Sequence, residues 1–120
     1  MIRTIYTLNP VSASRLESVV ADMRTLGAPV IRVVDCGDHY MAIEGSHRMA
    51  ACALLGIAPE LDVLAQHELV SSDSLDWADM LQPAEQYTAG ELAAEAYNPN
   101  QNGVYFVRED GTVEACVATR

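Results

Sequence analysis

The chain has 120 residues and a formal net charge of −10, set by 17 acids against seven arginines and no lysine. Half the residues are apolar and a fifth charged, a balance typical of one globular domain rather than of disorder or membrane residence. The charge argues against nonspecific binding to DNA, RNA or anionic lipid, and the missing lysine excludes a Walker-type P-loop, a Schiff base and a kinase-type strand lysine.

Residues 2–8 mix β-branched and aromatic side chains and read as a first strand, stopped by Asn9-Pro10. Ser14-Arg15-Leu16-Glu17 has the form of a capping box, and Leu16, Val19, Val20, Met23 and Leu26 follow at helical spacing. Gly27 and Pro29 close that helix. Two strands are expected over 30–35 and 40–44, joined by the turn Cys36-Gly37-Asp38-His39. A second helix runs from Ser46 to Leu55, is apolar on nearly every side and ends at Gly56; residues 61–64 return as a strand. Residues 75–81 suggest a short acidic helix ended by Pro83, with Trp77, Met80 and Leu81 as core anchors. Thr88-Ala89-Gly90-Glu91 is another capping-box pattern, opening a helix to about Tyr97. After the loop 98–103, strands over 104–108 and 112–118 flank Asp110-Gly111, a hairpin signal.

The fold class is therefore α/β: a compact mixed sheet with packed helices, one domain over 1–120, with a core in 1–65 and a helical segment and terminal hairpin in 66–120. No apolar run approaches the ~20 residues of a bilayer-spanning helix, and the first residues lack the apolar stretch of a secretory signal, so a cytoplasmic location is expected and no membrane partner. Cys36, Cys52 and Cys116 have no C-x-x-C spacing and read as small apolar residues. His39 and His67 have no metal-site spacing with them, so no metal site is expected. Nine acids and no basic residue lie between Arg48 and Arg108. They read as a solvated face or, in a sharper version, as a docking surface for a basic protein partner.

The chemistry concentrates in Glu44-Gly45-Ser46-His47-Arg48. A strand ends at Glu44, the chain turns through Gly45, and a helix starts with Ser46, His47 and Arg48. First-turn amides have no internal partner and sit in the positive potential of the helix dipole. Gly45 lets an anion approach the backbone; Ser46 and His47 can donate; Arg48 offers a fork suited to phosphate oxygens. Two or three charge-assisted bonds of roughly 1.5–3 kcal/mol each give micromolar to millimolar phosphate affinity. The competing reading is structural: Ser46 as a cap, Arg48 paired with Glu44, His47 as a packed histidine.

The ordered set Pro29-Val30-Ile31-Arg32-Val33, Tyr40, Glu44-Gly45-Ser46-His47-Arg48, Ala50-Ala51 and Leu55-Gly56 resembles the ParB/sulfiredoxin superfamily over residues 2–65. Asn9-Pro10 and Arg15 resemble the opening of ParB-type domains. Sulfiredoxins carry their reactive cysteine where this chain has Ser46, and a serine oxygen does not replace that sulfur nucleophile. ParB proteins bind CTP through an arginine-rich form of the turn and add a DNA-reading domain; here His47 replaces an arginine and the second half is acidic. The G-x-H-R form is closer to the branch containing the ADP-dependent free serine kinase, whose turn grips nucleotide phosphates. The glutamate base of that enzyme has no counterpart in 9–14.

The resemblance implies a stand-alone domain that binds a nucleotide (ATP, ADP or CTP with Mg²⁺) or a phosphorylated small molecule at Gly45, Ser46, His47 and Arg48. If it is an enzyme, phosphoryl transfer from ATP or ADP is the natural class, with Glu44 as base or metal ligand, ahead of Asp38 and Glu17. The alternative is a noncatalytic acidic module that binds a basic partner. A nuclease, the activity often attached to ParB-like domains, is opposed by the charge.

Overall fold

The computed structural model describes residues 3–8, 11–75, 86–98 and 102–116. In chain order these form β1 (Thr4–Thr7), α1 (Ala13–Leu26), β2 (Val30–Asp35), β3 (Tyr40–Ala42), α2 (Ser46–Leu55), β4 (Glu60–Leu64) and β5 (Leu69–Ser71). A single 3₁₀ turn (Ser72–Ser74) follows, then β6 (Gln86–Thr88), α3 (Ala89–Ala96), β7 (Gly103–Val107) and β8 (Val113–Ala115). Six strands form one mixed sheet in the order β4-β2-β3-β1-β7-β8, and β5 and β6 pair separately. Among the described residues no helix is long and apolar enough to cross a membrane.

Alternation along the strands divides the core into two layers. In β2, Ile31 and Val33 point to one face, where they meet Ile5, Met23, Met49 and Cys52. Val34 points to the other, against Met41, Leu64, Leu92 and Ala93. The first face is covered by α1 and α2, the second by α3 with the β5–β6 pair. Strands buried on both faces read as continuous β-branched runs, as 30–35 does. The terminal hairpin completes the same sheet: β7 runs antiparallel to β1, with Ile5 opposite Tyr105.

Several expectations shift, beginning with β3, which ends at Ala42 rather than at Glu44. The α1 helix starts at Ala13 with Ser12 as its N-cap, so Ser14-x-x-Glu17 lies inside the helix and forms no capping box. The Ser12 carbonyl already accepts the Leu16 amide at 3.0 Å, which commits the backbone two residues earlier. The α2 helix buries Ser46, Met49, Ala50, Ala51 and Cys52 but leaves Leu54 exposed, so it is packed on one side only. At Thr88 the capping box forms: the Thr88 hydroxyl accepts the Glu91 amide at 3.2 Å, and the Glu91 carboxylate accepts the Thr88 amide at 3.4 Å. The β5–β6 pair was not expected. The helix proposed over 75–81, its Trp77, Met80 and Leu81 anchors, and the Asn9-Pro10 stop fall outside the described residues, Leu75 excepted.

Candidate functional site

Strands β1 and β3 run parallel, so their carboxyl ends lie side by side, and each feeds a helix packed on the same face. The first turns of α1 and α2 therefore meet at one corner of the sheet. Outside the carboxyl ends of parallel strands is where open α/β sheets hold ligands. A hollow of about 370 Å³ opens there, within the size range of small-molecule sites. Gly45, Ser46, His47 and Arg48 line it from α2, Arg15 and Val19 from α1, and Glu44, Leu8 and Ser74 complete the wall.

Gly45 is the N-cap of α2 at φ 77°, in the left-handed region, and its carbonyl accepts the Met49 amide at 2.8 Å. A Cβ at this position would lie 3.2 Å from the Arg48 Nη2 and 3.4 Å from an Ile31 methylene. Glycine is required twice over, for its backbone and for the space beside the guanidinium. Ser46, His47 and Arg48 follow as the first three helical residues, and no side chain of the N-cap closes their amides.

Glu44 and its arginines divide the work unequally. Arg32 grips the carboxylate with both arms: Nη2 donates to Oε1 at 2.8 Å and Nε to Oε2 at 3.1 Å. The Arg32 backbone amide adds a third bond at 3.3 Å. The same guanidinium donates to the Ser74 hydroxyl at 3.1 Å and the Ser74 carbonyl at 3.0 Å, tying the 3₁₀ turn to the sheet. Burial alone would raise the Glu44 pKa; the bonds and charge of Arg32, helped by Arg48, outweigh it and hold the carboxyl below its ordinary value. The bond that Arg32 donates to Glu44 likewise raises the guanidinium pKa against the opposing effect of burial.

Arg48 is held more loosely. Its Nη2 lies 3.8 Å from Glu44 Oε2, and its Nη1 donates to the Val30 carbonyl at 3.2 Å. Its side chain keeps 39% of its surface in solvent. The structural reading expected Arg48 as the partner of Glu44; the tight partner is Arg32, twelve residues upstream across the β2–β3 hairpin. His47 reaches the other helix: its Nε2 accepts the Ser12 backbone amide at 3.1 Å. That bond places the ring proton on Nδ1 and links the two helix starts.

Of the remaining sequence candidates, Asp38 and Glu17 do not line the hollow. Asp38 is exposed in the β2–β3 turn, where its carboxylate meets His39 Nδ1 at 2.6 Å, and that hydrogen bond lowers its pKa. His39 stacks with Tyr6 at 4.8 Å between ring centres, a packing role. Arg15 and Ser74 line the hollow without having been singled out as site residues. Arg15 carried a signal: it occupies the third position of α1, as Arg48 does of α2. Ser74 carried none, because a contact across 42 residues leaves no local pattern. Among the described residues no group of three or more His, Cys, Asp or Glu can hold a metal ion.

Comparisons of this chain with protein-family models, with curated proteins and with solved structures find no match.

Proposed function

We propose that the chain is a phosphate-binding domain, with a nucleotide or a phosphorylated small molecule as its ligand. One observation carries this reading. Both helices that open onto the hollow start without a side-chain cap, without an acid in the first turn and with an arginine at the third position. A cation there opposes the helix dipole and is normally unfavourable. The α3 helix, by contrast, has Glu91 at the equivalent position and a complete capping box. Uncapped amides and two guanidinium groups around a concave space are the components of an anion site.

The order strand, helix, hairpin, helix, with Glu44 to Arg48 at the second helix start, supports a ParB/sulfiredoxin-like domain that binds ATP, ADP or CTP. Glu44 is the single carboxylate among the described lining residues, and both of its oxygens already accept bonds from Arg32. Those residues do not fit a protein-held Mg²⁺, so the cation would arrive with the nucleotide. For the same reason we assign Glu44 to fixing Arg32 rather than to taking a proton, and we favour binding over phosphoryl transfer. The acidic-module alternative draws on Glu60, Asp62, Glu68, Glu91 and Glu95, all exposed.

A thermal-shift panel of ATP, ADP, CTP and inorganic phosphate, each with and without Mg²⁺, separates these readings. The expected result is a rise in Tm that disappears in Arg48→Ala and Arg15→Ala while both remain folded. No shift with any phosphate, together with salt-sensitive capture of a basic protein, would favour the acidic module.

A further inference from the structure

Away from the hollow, α1 and α2 leave an apolar seam. Leu54, on the outer side of α2, is 67% exposed. Ala13, Leu16, Val20 and Ala21 of α1 border it on one side. Ala53, Tyr105 and Ala115 carry the same surface on toward β8. In a chain of net charge −10, this surface is balanced: Glu17 and Arg24 lie on α1, and Arg108 and Glu114 on the terminal hairpin.

Arg108 and Glu114 pair with each other at 3.4 Å. Glu17 and Arg24 do not. They are seven residues apart on one face of α1, about 10.5 Å along the axis, and neither has an ion-pair partner among the described residues. Their midpoint falls between Val20 and Ala21.

We propose that this seam is a homodimer interface, in which two α1 helices pack antiparallel across a two-fold axis through Val20 and Ala21. That operation sets Glu17 opposite Arg24 of the partner subunit, and Arg24 opposite Glu17 of the partner subunit. Val20 then meets Ala21 of the partner subunit, and Leu54 is covered. The surface complements itself, as a two-fold contact demands. The alanine at 21, beside the axis, allows the 8–10 Å approach of packed helices. A second copy is the fitting occupant because the charges cancel between like chains at this place. Repulsion between the acidic remainders is screened beyond about 8 Å at physiological salt.

Sedimentation of the full chain over a concentration series reaching about 1 mM tests this. The wild type should dimerise. Arg24→Glu and Glu17→Arg each replace two opposite-charge contacts by two like-charge ones and should weaken the dimer about tenfold or more. The double exchange Glu17→Arg/Arg24→Glu should restore it, and Leu54→Asp should abolish it, with circular dichroism confirming the fold of each variant. A wild type that stays monomeric throughout would overturn the proposal. So would a dimer indifferent to the single reversals, or a folded double exchange that remains monomeric.

Discussion

Arg32 and Arg48 both reach Glu44, yet their removal should have opposite consequences. Arg32→Ala deletes two charge-assisted bonds to Glu44 and two bonds to Ser74. It also leaves the Glu44 carboxylate, only 20% exposed, with Arg48 at 3.8 Å as its remaining cation. Removing one partner of a fully buried pair costs about 3–5 kcal/mol; with both groups about a fifth exposed, about 2 kcal/mol is the expected loss here. For a domain of this size that corresponds to a fall in Tm of about 8 °C. Arg48→Ala deletes one bond to a carbonyl and a long ion pair on a side chain already 39% exposed, so about 0.5 kcal/mol and 2 °C are expected. Ligand binding should reverse the order. Arg48→Ala should abolish the nucleotide shift, while Arg32→Ala, measured at a temperature where it is folded, should retain part of it. Calorimetric unfolding of both variants with and without nucleotide reads all four quantities. Equal destabilisation by the two substitutions would refute this division between a structural and a binding arginine.

The pH dependence follows from Glu44. Its folded pKa lies below the ordinary 4.5, so its contribution is complete above that value and is lost as pH falls through the folded value. The Tm difference between wild type and Glu44→Gln should therefore shrink as pH drops from 6 toward about 3, and a constant difference would contradict the assignment. Gly45→Ala forces an L side chain into the left-handed region, at about 1–2 kcal/mol, and places its Cβ 3.2 Å from the Arg48 guanidinium. It should lower both Tm and the nucleotide shift, and an unchanged shift would show that Arg48 need not stay where it is. Burial pushes the Cys52 thiol up to about 11, against a small opposing effect of Arg48. In the native protein at pH 8 a thiol-titrating reagent should therefore reach Cys36 and Cys116 before Cys52, whereas equal rates at all three would signal an open core.

The parts of the fold that could be read from the sequence were bracketed by local chemistry. Gly45 and Gly56 delimit α2 to the residue, and the β-branched run of β2 was limited by Pro29 and the Cys36-Gly37 turn. The hairpin closed by Asp110-Gly111 also formed, with β7 displaced by one residue and β8 spanning Val113–Ala115. What escaped were pairings with no local signature. Strands β5 and β6 are three residues each and lie on either side of residues 72–85; at that length, alternation cannot be distinguished from chance. The Arg32–Glu44 pair escaped for another reason. The helical spacing of Glu44 and Arg48 offers an obvious partner, but the β2–β3 register sets Val33 opposite Ala42. That brings Arg32 across the hairpin, close enough to take both carboxylate oxygens. Once a register is known, such a pair is foreseeable; from composition and spacing it is not.

That register also explains how an acidic chain holds a positive corner. Arg32 and Arg48 converge on Glu44 and Arg15 lines the same hollow from α1, so the corner keeps a local excess of positive charge within a molecule of net charge −10. Most other charges act on it through solvent, where screening removes most of their effect beyond about 8 Å. One carboxylate cannot neutralise the corner, and Arg32 takes its close contacts, leaving Arg48 at 3.8 Å. Substituting Arg32 would therefore do more than loosen the sheet. It would free Glu44 to draw Arg48 closer, weakening anion binding without abolishing it, which makes Arg32 the residue that keeps the binding arginine available.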